Sequence, residues 1–288
     1  MKHPPRTTAL LLLLFFAAQV VGLALVNLSI ADLKPTPTGE VELAHSSTAI
    51  GERPQFTGYE SFLYLVFGVV AGTLLLLFII KLGRLRLWKL WFFFAVFLST
   101  SVAFGVLLPR PLALALGAVL AYLKVFRRSV LIHNLTEIFI YSGIAVLLVP
   151  LFDLFWVTVL LIVISLYDVI AVNKTKHMVH LAKFQTKSGL FAGLMLGKPA
   201  THPTKTTKRA AILGGGDIAF PLLFAGVVME HLISKGVPKL LALYQSLLIP
   251  LFTVAALFLL FTKAQKDKFY PAMPAVTAGC LIGLFFLL

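Results

Sequence analysis

The hydrophobic residues of this chain run on for about 20 positions at a time and stop at charged stretches, with little alternation between polar and apolar positions. A run of that length is what an α-helix needs to cross the roughly 30 Å hydrocarbon core of a bilayer. Nine such segments are predicted, at 8–30, 61–80, 87–108, 111–126, 129–149, 152–172, 209–231, 238–262 and 269–288. The fourth is the weakest: Arg110 and Lys124 bracket a stretch that spans only with a thinned bilayer or snorkelling cations. Between the segments, the polar stretch 31–60 carries Asp32, Glu40, Glu42, Glu52 and Glu60 among Pro, Thr and Gly, and reads as an irregular exposed loop. The fold class predicted is an all-α polytopic membrane protein with nine transmembrane helices. Its parts are a six-helix portion at 1–172, a basic loop at 173–208 and a three-helix portion at 209–288.

Composition agrees. Of 288 residues, 59% are hydrophobic and 12% charged, with a mean hydropathy of +0.97. Soluble domains carry roughly a quarter charged residues, so a water-soluble globule is excluded. The net charge of +14 would suggest nucleic acid as a partner in a soluble protein. Here topology accounts for it, because cytoplasmic loops of membrane proteins concentrate Lys and Arg. With the N-terminus cytoplasmic and the C-terminus extracytoplasmic, only Lys34, Arg53, Arg110, Lys235 and Lys239 of the 25 cations fall outside. The basic segments 81–89 and 124–128 then lie on one side and need an even number of crossings between them, which supports the fourth span. The first span has an alternative reading as a cleaved signal peptide ending at Ser29-Ile30-Ala31. Its apolar stretch from Ala9 to Val26 exceeds the usual core of roughly 7–15 residues, which favours retention. The single cysteine, Cys280, forms neither an intrachain disulfide nor a Cys-rich metal site.

Few of the 11 acidic residues are out of reach of water in this scheme. Asp168 in the sixth segment and Asp217 in the seventh are the clear cases, whereas Glu137, Asp153 and Glu230 fall nearer helix ends. A carboxylate in hydrocarbon costs at least about 2.5 kcal/mol, so such residues usually face a cavity and carry function. At 1.5 Å per residue, Asp168 lies about 7 Å and Asp217 about 12 Å from the cytoplasmic boundary. On adjacent antiparallel helices the two carboxylates can face each other. Two such groups share one proton and titrate as a pair, the arrangement aspartic proteases use to activate water.

The flanking residues add detail. Gly214, Gly215 and Gly216 precede Asp217 directly, where missing side chains admit another backbone or a water and permit non-helical dihedrals. Three adjacent glycines are more than helix packing asks for, since packing motifs space small residues by four. Tyr167 precedes Asp168 and points about 100° away from it; it reads equally well as an interfacial tyrosine. Pro271-Ala272-Met273-Pro274 lacks two backbone donors at the start of the ninth segment and disfavours a regular first turn, or simply marks a helix start.

Tyr167-Asp168 in the sixth helix, Gly214-Gly215-Gly216-Asp217 in the seventh and Pro271-Ala272-Met273-Pro274 in the ninth resemble the YD, GxGD and PAL motifs of presenilins and signal peptide peptidases. The three in that order are specific, and the compact loops look most like archaeal presenilin homologues. The resemblance implies that Asp168 and Asp217 are the catalytic pair of an intramembrane aspartyl protease, that the PAL-like segment packs beside them to receive substrate, and that the substrates are transmembrane proteins. Met273 stands where the family usually has Leu. The orientation read from the charges is that of presenilins rather than of signal peptide peptidases, and the membrane implied is a prokaryotic, archaeal plasma membrane.

A helical substrate hides its peptide bonds and must unwind. The apolar patch Leu190–Leu196 in the basic loop could form a strand that pairs with unwound substrate; an interfacial segment held by anionic lipid fits equally. His177 and His180 have metal-ligand spacing with no third ligand nearby, so neither a metal nor another cofactor is expected. His133, Asn134 and Glu137 are polar enough to face the bundle interior. A proton- or cation-coupled transporter could use the same carboxylate pair, and a prepilin-type peptidase shares GxGD but lacks the Pro-Ala-Met-Pro segment. Membrane lipids are expected partners and nucleic acid is not; a homo-oligomer stays open.

Overall fold

The computed structural model describes residues 4–35, 41–53, 56, 58–82, 84–127, 129–174, 189–197, 211–264 and 270–287. It is a helical bundle with a small β-hairpin at one end and a two-stranded sheet at the other. Ten α-helices are described: α1 Pro5–Ser29, α2 Tyr59–Lys81, α3 Leu85–Gly105, α4 Arg110–Phe126, α5 Val130–Leu148, α6 Leu154–Asn173, α7 Gly216–Ser234, α8 Lys239–Ser246, α9 Leu248–Lys263 and α10 Met273–Phe285. Seven segments are long and apolar enough to cross a membrane; these are α1, α2, α3, α5, α6, α7 and the continuous Lys239–Lys263 stretch that holds α8 and α9. The remaining two, α4 with 17 residues and α10 with 13, are shorter.

Helix α1 starts with Pro5, whose fixed φ and missing N–H suit the first turn. It runs through the middle of the bundle against α5, α7 and α9. Phe15, Ala18, Leu23 and Val26 are fully buried there, and the Gln19 amide donates to the Ile218 carbonyl at 2.9 Å. This helix is part of the core. Helix α7 is the most enclosed, with 61% of its span buried, whereas α2 is peripheral at 11% and touches α3 and α6.

The stretch expected to be an irregular exposed loop is instead ordered at its start. Strands β1 Ile30–Pro35 and β2 Val41–His45 pair antiparallel, with a bulge between Ile30 and Asp32. Three polar contacts tie this hairpin and the end of α1 to the bundle: His45 Nε2 to Glu230 Oε1 at 2.8 Å, Lys239 Nζ to the Ile30 carbonyl at 2.8 Å, and Asn27 Nδ2 to the Lys239 carbonyl at 3.0 Å. Short strands tied by such distant partners leave a weak local signal, which is why composition alone read them as loop.

At the opposite end, β3 Gly193–Leu196 and β4 Ala211–Gly214 pair antiparallel, with Gly193 opposite Gly214 and Leu196 opposite Ala211. The seventh helix therefore does not begin after Arg209 as predicted. It begins at Gly216, because the apolar residues Ala211–Leu213 that looked like its first turn are strand. The C-terminal pair α9 and α10 pack closely through Gly279 and Gly283, four residues apart. A Cβ added at either would stand 2.6 Å from Thr253 Cα or 2.7 Å from Ile249 Cα.

Candidate active site

Asp168 lies on α6 and is buried, with 5% of its surface exposed. Its Oδ2 accepts the backbone N–H of Met273 at 3.1 Å, and the backbone N–H of Ala272 also donates to the carboxylate. These are among the first N–H groups of α10, which have no partner within their own helix. Asp168 thus caps α10 from another helix, where the positive end of the helix dipole favours a carboxylate. Pro274 contributes by position: it sits in the first turn and leaves the two donors before it to Asp168. The Pro271–Pro274 segment does not block a first turn, as its two prolines suggested; α10 starts at Met273. Met273 is buried, while Pro271, Ala272 and Pro274 are half-buried, as is Tyr167 one position before Asp168.

Asp217 is the second residue of α7, not a residue two turns deep. The residues just before it are β4, in which the chain advances about 3.3 Å per residue rather than the roughly 1.5 Å of a helix. Its carboxylate accepts the backbone N–H of Gly214 and interacts electrostatically with Asp168 across the contact between α6 and α7. The three glycines act through missing side chains, not through unusual dihedrals: none has a positive φ. A Cβ at Gly214 would stand 3.2 Å from Asp217 Oδ2, and one at Gly215 would stand 2.6 Å from the Tyr141 hydroxyl oxygen. Pro221, four residues after Asp217, cannot donate to the Asp217 carbonyl as a regular helix residue would.

The β3–β4 sheet is held against α5 by side chains. Asn134 donates to the Met195 carbonyl at 2.7 Å and accepts the Met195 N–H at 2.9 Å. His133 Nε2 lies 2.8 Å from the Gly193 carbonyl, and Glu137 Oε2 accepts the Gly193 N–H at 3.0 Å. Glu137 is not near water, as its place toward a helix end suggested; it is fully buried and pairs with Lys124. Lys124, expected to be a loop cation, is itself a buried residue of α4. Tyr141, Asn134 and Lys124 belong to this supporting network, and sequence reasoning left them without a role. The spacing of 133, 137 and 141 was the available signal, because residues four apart share one helix face.

Strand directions follow from these contacts. In an antiparallel pair, neighbouring residues turn their N–H and C=O groups to opposite sides. Gly193 and Met195 turn theirs to α5, so Leu194 and Leu196 face β4. On β4, Leu213 and Ala211 answer them, and the backbone groups of Ile212 and Gly214 point away from the sheet. The patch around β3 therefore forms a strand, but its outer edge is occupied by α5; among the described residues no strand pairs with the other edge, that of β4, beside Asp217.

Among the described residues, no group of three His, Cys, Asp or Glu could hold a metal. His177 and His180 lie outside the described residues.

The sequence model described as signal-peptide peptidase, presenilin aspartyl protease matches residues 40–288. No curated protein matches the sequence. Two solved structures of a presenilin family intramembrane aspartate protease share the fold. The one in space group P2 has a TM-score of 0.60 at 19% identity, covering 96% of this chain and 95% of that one. The one in C222 has a TM-score of 0.55 at 17% identity, covering 96% and 94%. The family match leaves the transporter reading without support. A buried Asp168 and a half-buried Asp217 on neighbouring apolar helices, met by a match over most of the sequence, identify the chain as a member of the signal-peptide peptidase and presenilin family, an integral membrane aspartic endopeptidase that cleaves transmembrane proteins.

Proposed function

We propose that Asp168 and Asp217 are the catalytic pair and that they share one proton between them. The ionised member takes a proton from a water as it attacks the scissile carbonyl. The protonated member donates to that carbonyl oxygen and stabilises the charge that develops on it. The reading rests on one observation: the two carboxylates interact across adjacent helices, each already oriented by backbone N–H groups, from Ala272 and Met273 for Asp168 and from Gly214 for Asp217. Gly216 adds no side chain of its own to the approach to Asp217, and Gly215 leaves room for the Tyr141 hydroxyl beside it. Tyr167 and the Pro271–Pro274 segment flank Asp168 and support the substrate there. No metal takes part in this scheme.

The substrate's unwound segment adds as a third strand to the outer edge of β4, through the outward N–H and carbonyl of Ile212 and the outward carbonyl of Gly214, whose N–H is held by Asp217. That pairing brings an extended peptide to within a few residues of Asp217. The membrane arrangement proposed is nine spans, with α4 and α10 crossing as short helices, the N-terminus cytoplasmic and the C-terminus outside. The catalytic end then faces the cytoplasm, and the favoured substrates have their N-terminus outside. The divisions at 172 and 208 separate a six-helix part, a basic cytoplasmic loop and a three-helix part. The loop's cations serve topology and anionic lipid rather than nucleic acid. The membrane is a prokaryotic, archaeal-type plasma membrane.

The test is cleavage of a single-span substrate by the detergent-purified protein beside its Asp168→Ala and Asp217→Ala variants, with products mapped by mass spectrometry. Cuts inside the apolar span should disappear in both variants. Cleavage retained by either folded variant overturns the assignment.

A further inference from the structure

Lys124 and Glu137 form an ion pair whose side chains are 1% and 0% exposed. Lys124 has two further neighbours, His133 Nδ1 at 3.3 Å and the face of Phe92 at 5.8 Å. An ion pair removed this completely from water is seldom a net source of stability, because desolvation offsets the attraction. Its consequence has to be sought in what the carboxylate holds.

Glu137 Oε1 takes the lysine. Oε2 takes two donors from different places: the N–H of Gly193, the first residue of β3, and the hydroxyl of Tyr141 one turn further along α5. The Tyr141 oxygen occupies the space that a side chain on Gly215 would fill, and Tyr141 is close enough to Asp217 to interact with it electrostatically. The Gly215 N–H in turn donates to the Ala192 carbonyl at 3.2 Å, next to Gly193. One buried carboxylate therefore sets both sides of the turn that presents Asp217.

We propose that Glu137, held by Lys124 and acting through Gly193 and Tyr141, is the positioning residue for the Gly214–Gly216 turn and hence for Asp217. This rests on Asp217 being catalytic. Lys124 supplies the countercharge that lets a carboxylate stay at this depth, and Glu137 fixes the turn relative to the substrate-pairing edge of β4. Misplacement of a reacting group by about 1 Å can cost on the order of a hundredfold in rate, with little change in substrate binding.

The test compares two double variants that both remove the ion pair. In Lys124→Met with Glu137→Gln, the amide oxygen still accepts from Gly193 and Tyr141; in Lys124→Met with Glu137→Leu, nothing does. Both are measured for thermal midpoint, kcat, KM and cleavage position, beside wild type and Asp217→Asn. The Gln variant should keep kcat within about threefold, while the Leu variant loses at least about tenfold in kcat at unchanged KM. A folded Leu variant with wild-type kcat overturns the proposal, as does a Leu variant whose loss is matched by the Gln variant. Where the Leu variant does not fold, Tyr141→Phe decides, because it removes one oxygen only: a lowered kcat at unchanged KM supports the proposal and a wild-type kcat overturns it. An Asp217→Asn variant that still cleaves would instead overturn the dyad assignment and, with it, the reason for positioning this turn.

Discussion

Replacing Asn134 with Ala should unfasten β3 while leaving the helices intact. Asn134 is buried and makes both of its hydrogen bonds to Met195, one in each direction, at 2.7 and 2.9 Å. Truncation leaves a buried backbone N–H and C=O without partners, at about 1–3 kcal/mol each, so about 2–6 kcal/mol in all. Water entering the space left by the side chain pulls the value toward the lower end. The cost falls on the sheet and not on the bundle, because two strands of four residues each have few other ties. Even 2 kcal/mol raises the local opening equilibrium about thirtyfold. Hydrogen exchange followed by mass spectrometry should show the Leu194 and Leu196 amides exchanging at least about thirtyfold faster, with protection in α1 and α7 unchanged. Cleavage should fall with it, since the strand proposed to receive substrate is paired to β3. Wild-type protection in peptides covering 190–197, together with wild-type kcat/KM, would refute the reasoning that α5 holds this sheet in place.

Ile212→Pro should leave the β3–β4 ladder standing, because its bonds use Ala211 and Leu213, yet remove the outward N–H available to an added strand. The expected outcome is a raised KM or lost cleavage at an unchanged thermal midpoint; unchanged kinetics would argue against strand addition at β4. Gly279→Ala places a methyl group 2.6 Å from Thr253 Cα, a backbone atom that cannot step aside. It should destabilise by about 1–3 kcal/mol and, by pushing α10 off α9, lower activity more than Tm alone predicts; a Tm and activity equal to wild type would show that the helix pair has slack.

What could be read in the sequence was what lipid dictates. Long apolar runs and intervening cations placed the helices, and the scarcity of acids within those runs singled out Asp168 and Asp217. The errors lie where neighbouring residues share composition but differ in backbone. Ala211-Ile212-Leu213 is as apolar as the helix it precedes, so the change from strand to helix at Gly215 left no trace in hydropathy. Strands β1 and β2 are too short, and too dependent on Glu230 and Lys239 far along the chain, to announce themselves. Glu137 and Lys124 were legible as charges but not as a pair, since their meeting depends on how α4 packs on α5. Asp168 itself was visible, whereas its partners, the N–H groups of Ala272 and Met273, belong to a helix a hundred residues away that only the fold brings near.

That last contact has a consequence for how the enzyme is made. Both aspartates have left the ribosome well before residue 273 is synthesised, and the helix end that orients Asp168 comes later in the chain than either of them. Until α10 inserts and settles against α9, the nascent protein carries both acids in the bilayer without the arrangement in which they are proposed to cut. On the proposed mechanism, chains that have not yet made and docked α10 are inert, so a protease that works among the membrane's own helices stays off until that helix is in place.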